Sequence, residues 1–249
     1  MIARALRTLV RGKAIPGKAF YWNTDFDAKP KGRDIYIMPK KEEVKNTVVW
    51  MHGLGDSAMG FLDFFDRQDS PVPKHTKVVL LTAPEMPVTI NNGMIMNSWF
   101  DKDIDNEGRF IAKEEDVIKS YNRIAKVIEE EVSAYKGDYK KIVVGGYSQG
   151  CAMALYTGLT FDKILGGVCG LSGFLFSFTK LDERKKQLPI FLYHGKMDDV
   201  VLYEPSIKEY KKLKEQGFNL EIHDEDHLGH SISEKEDLEI KKFFNKILN

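Results

Sequence analysis

Short runs of apolar residues alternate with longer amphipathic stretches from residue 35 to the end of the chain. Runs that are rich in β-branched residues occur at 35–38, 48–50, 78–81, 142–144, 168–171, 191–193 and 220–223. Most of these runs are apolar on both faces, as strands are when helices cover both sides of their sheet. Each run is therefore predicted to be a strand.

Three longer segments have the spacing of amphipathic helices. In residues 114–135, apolar side chains recur at every third or fourth position, and Gly137 follows as a helix stop. Helices are also predicted at 203–216, which Gly217 ends, and at 233–248. Strands that alternate with helices predict an α/β fold with a single doubly wound, mostly parallel sheet and helices on both faces. Functional residues of such sheets collect just past the carboxyl ends of the strands.

The composition of the chain mainly excludes classes of protein. In the 249 residues, Lys plus Arg (37) equals Asp plus Glu (37), so no net charge draws the chain to nucleic acid or to an anionic membrane. The uncharged run at residues 164–179 is too short and too rich in glycine to span a bilayer. Cys151 and Cys169 lie among apolar and small residues, which is typical of buried, reduced thiols in intracellular proteins. The composition predicts a soluble globular protein.

The N-terminal segment, residues 1–34, is predicted to be a basic extension that precedes a single domain at 35–249. No acidic residue occurs before Asp25, whereas the basic residues there are Arg4, Arg7, Arg11, Lys13 and Lys18. A basic amphipathic start is typical of a mitochondrial presequence, although serine, usual in such segments, is absent here. The alternative is a docking extension of a cytosolic protein. Cytoplasmic and mitochondrial locations therefore both stay open.

Candidate chemistry begins directly after the predicted strand at 142–144. The sequence from Gly146 to Gly150 is G-x-S-x-G, and it lies between this strand and a run of small residues that suits a helix. In that context the pattern predicts a nucleophile elbow, a tight turn on which Ser148 projects beyond the sheet at a helix N-terminus. Cys151 is the alternative nucleophile, but it lies beyond the apex of the turn, where a packing role is expected.

A serine nucleophile needs a histidine base and a carboxylate, which follow it along the chain in this class of fold. After the predicted strand at 191–193 come Asp198 and Asp199, and after the strand at 220–223 comes the histidine-rich stretch HDEDHLGH, residues 223–230. The order fits. This stretch could also supply ligands for zinc, but Leu228 and Gly229 disfavour a helix, so the helical spacing of ligands is not available.

A third feature follows the early strand at 48–50. The loop HGLGD, residues 52–56, can direct a backbone N–H at the oxyanion of a tetrahedral intermediate, and the residue after the nucleophile, Gln149, offers a second one. His52 is expected to have a structural hydrogen-bonding role, because it lies at a strand end beside this loop.

At this point the chain resembles the acyl-protein thioesterase branch of the phospholipase/carboxylesterase family of α/β-hydrolases. The matching motifs keep the order and spacing of the family and are HGLGD at 52–56, TAP at 82–84, PVTINNGMIMNSWFD at 87–101, GGYSQG at 145–150, LSGFL at 171–175, HGKMDDVV at 194–201 and GHS at 229–231. The resemblance implies the α/β-hydrolase fold with Ser148 as nucleophile, Asp198 as the orienting carboxylate and His230 as base. It also implies an oxyanion hole formed by the N–H groups of Leu54 and Gln149.

The resemblance further implies a serine hydrolase that needs no cofactor and no metal. Family substrates are long-chain acyl thioesters on protein cysteines, lysophospholipids and simpler acyl esters, so an acylated protein or a small acyl ester is the expected partner, with peripheral contact to a membrane. The residues expected to bind the acyl chain are Met94, Trp99, Phe174 and Phe176. The chain departs from the family at Asp199 and Phe176, where proline is usual.

Three alternatives to this interpretation stay open. Some of the aromatic residues expected in the acyl groove, Trp99 among them, could be ordinary core. A general short-chain carboxylesterase would carry the same triad. A hydrolase fold without catalytic function, kept as a subunit of a larger assembly, is the alternative from a different class.

Overall fold

The computed structural model describes residues 25–104 and 110–249. The main sheet has eight strands in the order β1-β2-β4-β3-β9-β10-β11-β12, and its strands from β4 to β12 are parallel. These strands are β1 Phe26–Lys31, β2 Asp34–Pro39, β3 Asn46–Met51, β4 Thr76–Leu81, β9 Ile142–Tyr147, β10 Gly167–Leu171, β11 Ile190–Gly195 and β12 Leu220–Glu225. Each predicted strand is present, and the predicted α/β fold with one doubly wound, mostly parallel sheet is confirmed.

Two small antiparallel hairpins, which the apolar pattern did not predict, lie between β4 and β9. The first pairs β5 Glu85–Val88 with β6 Met94–Asn97, and the second pairs β7 Lys102–Ile104 with β8 Phe110–Ala112. Strands this short are hard to predict from sequence, because a few residues give too little alternation for a periodic signal.

Helices cover both faces of the main sheet. One face buries apolar side chains of α2 Glu114–Val132, α3 Gln149–Thr160 and α4 Tyr203–Glu215, and the other buries those of the short α1 Leu62–Phe65 and of α5 Glu234–Leu248. Side chains of one strand alternate between the two faces of the sheet. Val49 of β3 therefore packs on the face covered by α2, α3 and α4, and Trp50 packs on the face covered by α1 and α5. The helix predicted at 114–135 ends as an α-helix at Val132 and continues as a 3₁₀ turn, Ser133–Tyr135.

The boundary between extension and domain needs correction. β1 pairs antiparallel with β2 along its whole length, and Phe26 is buried in the core, so the sheet begins within the segment assigned to the extension at 1–34. The sequence of this strand, FDAKPK, does not show the apolar pattern of a strand. Its lysines and proline, which are typical of a strand at the edge of a sheet, interrupt that pattern. The basic residues on which the presequence and docking interpretations rest, at 4–18, lie outside the described residues.

Within the described ranges, no helix has both the length and the apolar character needed to cross a membrane. Cys151 and Cys169 are free and buried on opposite faces of the sheet.

Glu236, in the first turn of α5, is a buried carboxyl group with no partner for either side-chain oxygen among the described residues. Ser233 caps the helix by accepting a hydrogen bond from the Glu236 backbone N–H at 3.0 Å, but the Glu236 side chain makes no reciprocal bond. Burial raises the pKa of Glu236 from its ordinary 4.5 to about 8. The folded protein therefore holds this carboxyl group in its protonated form at neutral pH.

Glu236 should make the protein less stable as pH rises. Between pH 4.5 and 8 the folded state keeps a proton that the unfolded state has released, so stability falls by about 1.4 kcal/mol per pH unit in that window. Replacing Glu236 with glutamine removes this dependence, and the variant should exceed the wild type in stability by a margin that grows with pH. Urea unfolding at pH 5, 6, 7 and 8 measures the free energy of unfolding of both proteins. Glu234→Gln, on the exposed side of the same turn, is the control. Parallel stability curves for wild type and Glu236→Gln would contradict the assignment.

Candidate active site

Ser148 lies at the turn between β9 and α3, in a backbone conformation that L-residues rarely adopt. Its φ is +55° and its ψ is −117°, and its backbone N–H donates to the Leu171 carbonyl on neighbouring β10 at 2.8 Å. Such a conformation costs about 1–3 kcal/mol and persists only where the surroundings enforce it. Here it projects the hydroxyl beyond the sheet at the N-terminus of α3, where the helix field favours negative charge.

Two glycines permit this turn by the space they leave. A Cβ on Gly150 would lie 2.1 Å from the Met51 carbonyl oxygen, and a Cβ on Gly146 would lie 2.5 Å from the Gly150 backbone. Any side chain at either position would therefore push α3 away from β3 and β9. The G-x-S-x-G pattern is required here by packing, as the sequence predicted.

His230 and Asp198 complete a hydrogen-bonded chain with this serine. The Ser148 hydroxyl lies 3.0 Å from His230 Nε2, and His230 Nδ1 lies 2.7 Å from Asp198 Oδ2. Because a carboxylate only accepts, Nδ1 carries the proton and donates to Asp198, which leaves Nε2 free to accept from the serine. The structure thus brings together the three side chains that the sequence placed in this order.

Asp198 is held as a carboxylate by four surrounding donors. Oδ1 accepts from the N–H groups of Val200 at 3.0 Å and Val201 at 2.8 Å, while His194 Nε2 lies 3.3 Å from Oδ2 beside His230. Burial alone would raise the pKa of Asp198, but hydrogen bonds from the two histidines and the Val201 amide outweigh it and lower that pKa well below its usual range. A permanently ionised Asp198 can stabilise the imidazolium that forms on His230.

The loops that carry Asp198 and His230 are fastened to each other. Met197 donates its N–H to the Leu228 carbonyl at 2.9 Å, and a Cβ on Gly195 would lie 2.2 Å from the same oxygen. The ring of Tyr147 also lies against the His230 imidazole, with centroids 4.9 Å apart. The base is therefore fixed from both sides.

Two backbone N–H groups near the serine belong to different elements. Leu54 follows Gly53, which lies against Ser148, since a Cβ on Gly53 would come 3.4 Å from that of the serine. Gln149 is the first residue of α3, where an N–H has no partner inside the helix. In the described part of the chain, neither the Leu54 nor the Gln149 N–H donates to a backbone carbonyl. Both are free to bind an oxyanion.

The residues predicted to bind an acyl chain divide into two groups. Phe174 and Phe176 line a cavity of about 550 Å³. Trp99 is fully buried, its indole N–H donates to the His52 carbonyl at 2.9 Å, and it belongs to the core, so the prediction for this residue is wrong. Met94 lies on the β5–β6 hairpin, 64% exposed and outside the cavity. Met94 therefore does not line this cavity.

The cavity lies between α4 and the loops that follow β10 and β11, and residues that contact the triad line it, although the three triad side chains do not. Val200 and Val201, whose N–H groups bind Asp198, form part of its wall, and Phe174 follows Gly173, which abuts the Ser148 carbonyl. The remaining wall includes apolar residues that were not predicted from the sequence to bind an acyl chain: Ala112, Phe178, Leu181, Leu202 and Leu213. Polar and charged side chains, Glu209, Lys212 and Gln216 among them, complete the wall. A cavity of this size with a mostly apolar set of lining residues can accept a flexible hydrocarbon chain.

The side chains of the HDEDHLGH stretch turn to different partners. His223 lies 3.0 Å from Glu221 and stacks on Tyr193, Asp224 accepts from Tyr203, and His227 is exposed. Across residues 25–104 and 110–249, no three histidine, cysteine, aspartate or glutamate side chains are grouped so that they could hold a metal ion.

The alternative nucleophile Cys151 is packed against Gly170 and Gly173. It is fully buried, and burial raises the pKa of its thiol to about 12, so no thiolate forms at neutral pH. His194 and Tyr147, which contact Asp198 and His230, were not identified from sequence. Their positions inside the HGKMDDVV and GGYSQG motifs are the signal that could have indicated them.

The arrangement provides a nucleophile, a base, an orienting carboxylate, two oxyanion donors and an apolar cavity. Together they suit acyl transfer to serine followed by hydrolysis.

Comparison with known proteins agrees with this chemistry. Residues 33–248 match the family model described as Phospholipase/Carboxylesterase. An acyl-protein thioesterase 1 homolog from Dictyostelium discoideum is 34% identical over 87% of this chain and 96% of its own, and acyl-protein thioesterase 1 of Candida albicans is 33% identical over 86% and 97%. The crystal structure of Zea mays acyl-protein thioesterase 2 superposes with a TM-score of 0.74 at 28% identity, covering 88% of this chain and all of that one.

Proposed function

Because this chain belongs to the phospholipase/carboxylesterase family and is a serine hydrolase of acyl thioesters and esters, we propose that it removes long-chain acyl groups from protein cysteines. Lysophospholipids, which carry the same kind of acyl chain, are the second proposed substrate. One observation carries the proposal: Val200 and Val201, whose N–H groups hold the Asp198 of the Ser148–His230–Asp198 chain, also line a mostly apolar cavity of about 550 Å³.

In the proposed reaction, Ser148 and His230 carry out two acyl transfers. His230 Nε2 takes the hydroxyl proton as the Ser148 oxygen attacks the acyl carbonyl carbon, and the Leu54 and Gln149 N–H groups bind the resulting oxyanion. The C–S or C–O bond to the leaving group then breaks, and His230 returns the proton to the departing thiol or alcohol. Water repeats the sequence on the acyl-serine, which releases the fatty acid and restores the enzyme.

The walls of the cavity support a long acyl chain as the preferred substrate. Burying a methylene group contributes up to about 0.8 kcal/mol, which corresponds to about a fourfold gain in kcat/KM for each added CH₂. The gain continues only until the cavity is filled. Acetyl esters, which leave the cavity empty, should therefore be poor substrates.

A chain-length profile tests this proposal. The value of kcat/KM should rise from acetyl to long-chain thioesters when each substrate is kept below its micelle concentration. Ala112→Trp, which places a bulky ring on the half-buried wall of the cavity, should shorten the optimal chain and reduce kcat/KM for palmitoyl thioesters tenfold or more. Acetyl ester hydrolysis should stay within twofold of the wild type.

Met94→Trp is the matched control, because it adds the same ring outside the cavity and should leave the profile unchanged. A profile that peaks at acetyl and declines with chain length would instead establish a short-chain carboxylesterase.

We also propose peripheral contact with a lipid surface, where acylated proteins and lysophospholipids are found. Met94 and Ile95, on the β5–β6 hairpin, are 64% and 69% exposed, and apolar side chains at an exposed tip can insert among lipid headgroups. Co-sedimentation with phosphatidylcholine vesicles should decrease in the Met94→Ser, Ile95→Ser double variant. It should not change in Leu238→Ser, which removes an exposed leucine from α5. Equal sedimentation of both variants would exclude the hairpin as the contact.

A further inference from the structure

The two N–H groups of the proposed oxyanion hole belong to elements that are far apart along the chain. Leu54 is in the loop after β3, and Gln149 begins α3 after β9. An oxyanion hole works only if its donors are fixed at the spacing that the tetrahedral oxygen requires. The described residues contain a single buried segment, Ser98–Phe100, that hydrogen-bonds to both elements, and we call residues 98–100 the bridging segment.

At one end, the bridging segment is tied to the side chain of Gln149. Gln149 Oε1 accepts from the Trp99 backbone N–H at 2.8 Å, and Gln149 Nε2 donates to the Phe100 carbonyl at 2.8 Å and to Ser98 Oγ at 3.0 Å. Gln149 is 2% exposed and Ser98 is fully buried, so water cannot substitute for these bonds. The amide side chain thus fixes the position of its own backbone N–H relative to the bridging segment.

At the other end, the indole of Trp99 holds the loop that carries Leu54. Trp99 Nε1–H donates to the His52 carbonyl at 2.9 Å. The ring of His52 adds two bonds: Nδ1–H donates to the Gly53 carbonyl at 2.5 Å, and Nε2 accepts from the Ala83 N–H at 3.0 Å. Nε2 can accept only in the neutral ring, and burial lowers the pKa of His52, which keeps the ring neutral.

The residue just before the bridging segment extends the same connection. Asn97 accepts from the Gly55 N–H through its carbonyl at 2.8 Å, and its side-chain amide donates to the Asp56 carbonyl at 2.7 Å. The loop from His52 to Asp56 is therefore bonded at its start and at its end to residues 97–99. Leu54 lies between these two attachments.

We propose that Trp99 is a positioning residue that sets the spacing between the Leu54 and Gln149 N–H groups through its simultaneous bonds to His52 and Gln149. The proposal rests on the proposed function, since it concerns the same oxyanion hole. Trp99 does not touch the substrate. Its expected effect lies in the transition state, where the oxygen carries the charge, and not in the binding of the ground-state acyl group.

Trp99→Phe tests the proposal, because it removes the indole donor and keeps an aromatic ring. On a soluble short-chain ester, kcat should fall tenfold to a hundredfold while KM stays within twofold. The affinity of an alkyl boronic acid, which forms a tetrahedral adduct on Ser148, should weaken by the same factor as kcat/KM. The affinity of the product fatty acid should not change.

Trp50→Phe is the matched control. Trp50 is also buried, at 1% exposure, but it packs on the opposite face of the sheet, and its indole N–H has no hydrogen-bond partner in the described ranges. The same loss of volume occurs there without loss of a bond. Kinetic constants should therefore stay within twofold of the wild type, even if the melting temperature decreases.

Gln149→Met is a second variant in case Trp99→Phe does not fold. It keeps the backbone N–H and removes the hydrogen bonds of the side-chain amide to residues 98–100, and it should reproduce the fall in kcat at constant KM. Normal kcat in Trp99→Phe or in Gln149→Met would overturn the proposal, as would equal losses in Trp99→Phe and Trp50→Phe. Failure of the proposed function is distinguishable, because it would appear as a wild-type chain-length profile that peaks at acetyl, whereas the fall in kcat of Trp99→Phe relative to the wild type is measured on a short-chain ester and does not depend on the preferred acyl chain.

Discussion

Replacing Ser148 with alanine should abolish ester and thioester hydrolysis, with kcat falling by about four orders of magnitude or more. The hydroxyl is 3.0 Å from His230 Nε2 at the apex of the turn before α3, and the neighbouring Cys151 thiol is buried and neutral, so it cannot substitute. Labelling by a fluorophosphonate probe should disappear together with turnover. Thermal unfolding should change little, because the exchange removes one oxygen and relieves no packing contact.

Ser172→Ala is a closely matched control. Ser172 also has positive φ, at +48°, it is buried at the end of neighbouring β10, and its hydroxyl has no partner in the described part of the chain. Activity of this variant should stay close to that of the wild type. Labelling that persists in Ser148→Ala, or that moves to Cys151, would refute the assignment of the nucleophile. A wild type that labels with no probe and cleaves no ester would favour the non-catalytic subunit.

The second large effect is expected at His230. His230→Ala should lower kcat by a factor comparable with that of Ser148→Ala, because the serine then has no base and the leaving group has no acid. His227→Ala, three residues earlier and exposed, should be close to the wild type. Asp198→Asn should likewise cost about 10⁴ in kcat, and Asp199→Asn should cost little, because only Asp198 reaches the imidazole.

The effect of a metal chelator on the rate independently tests whether His230 acts as a base or as a metal ligand. EDTA should leave the rate unchanged if the histidines of the 223–230 stretch act as described. Inhibition by EDTA that zinc reverses, together with equal losses in His230→Ala and His227→Ala, would make a metal site the better explanation.

The triad was predictable from sequence because each member follows a strand and the order of nucleophile, acid and base is fixed by the fold. Without the family resemblance, the sequence could not show whether Asp198 or Asp199 is the orienting carboxylate. Two adjacent residues of one loop have nearly the same neighbours in the sequence. Burial separates them here: the Asp198 side chain is fully buried beneath four donors, and Asp199 is exposed.

The substrate residues were less predictable, and Trp99 shows why. A large aromatic residue in an apolar loop has the same sequence signature whether its ring lines a cavity or joins the core. Its orientation depends on a hydrogen bond to His52, which is 47 residues away in the chain. Met94 was assigned to the acyl groove although it does not line the cavity, because the hairpin that exposes its side chain was not predicted.

The nucleophile and the oxyanion hole are joined to strand ends by the contact of Gly150 with the Met51 carbonyl and by the hydrogen bonds of Trp99. Few substitutions fit at these strand ends. The walls of the cavity come from other parts of the chain, mainly residues 174–181 and 200–216. Divergence within the family can therefore alter which acyl chain is accepted by exchanging residues in these two stretches, while the reaction itself is inherited unchanged. For protein engineering, the same separation makes residues 174–181 and 200–216 the rational targets of a library that seeks new chain-length selectivity.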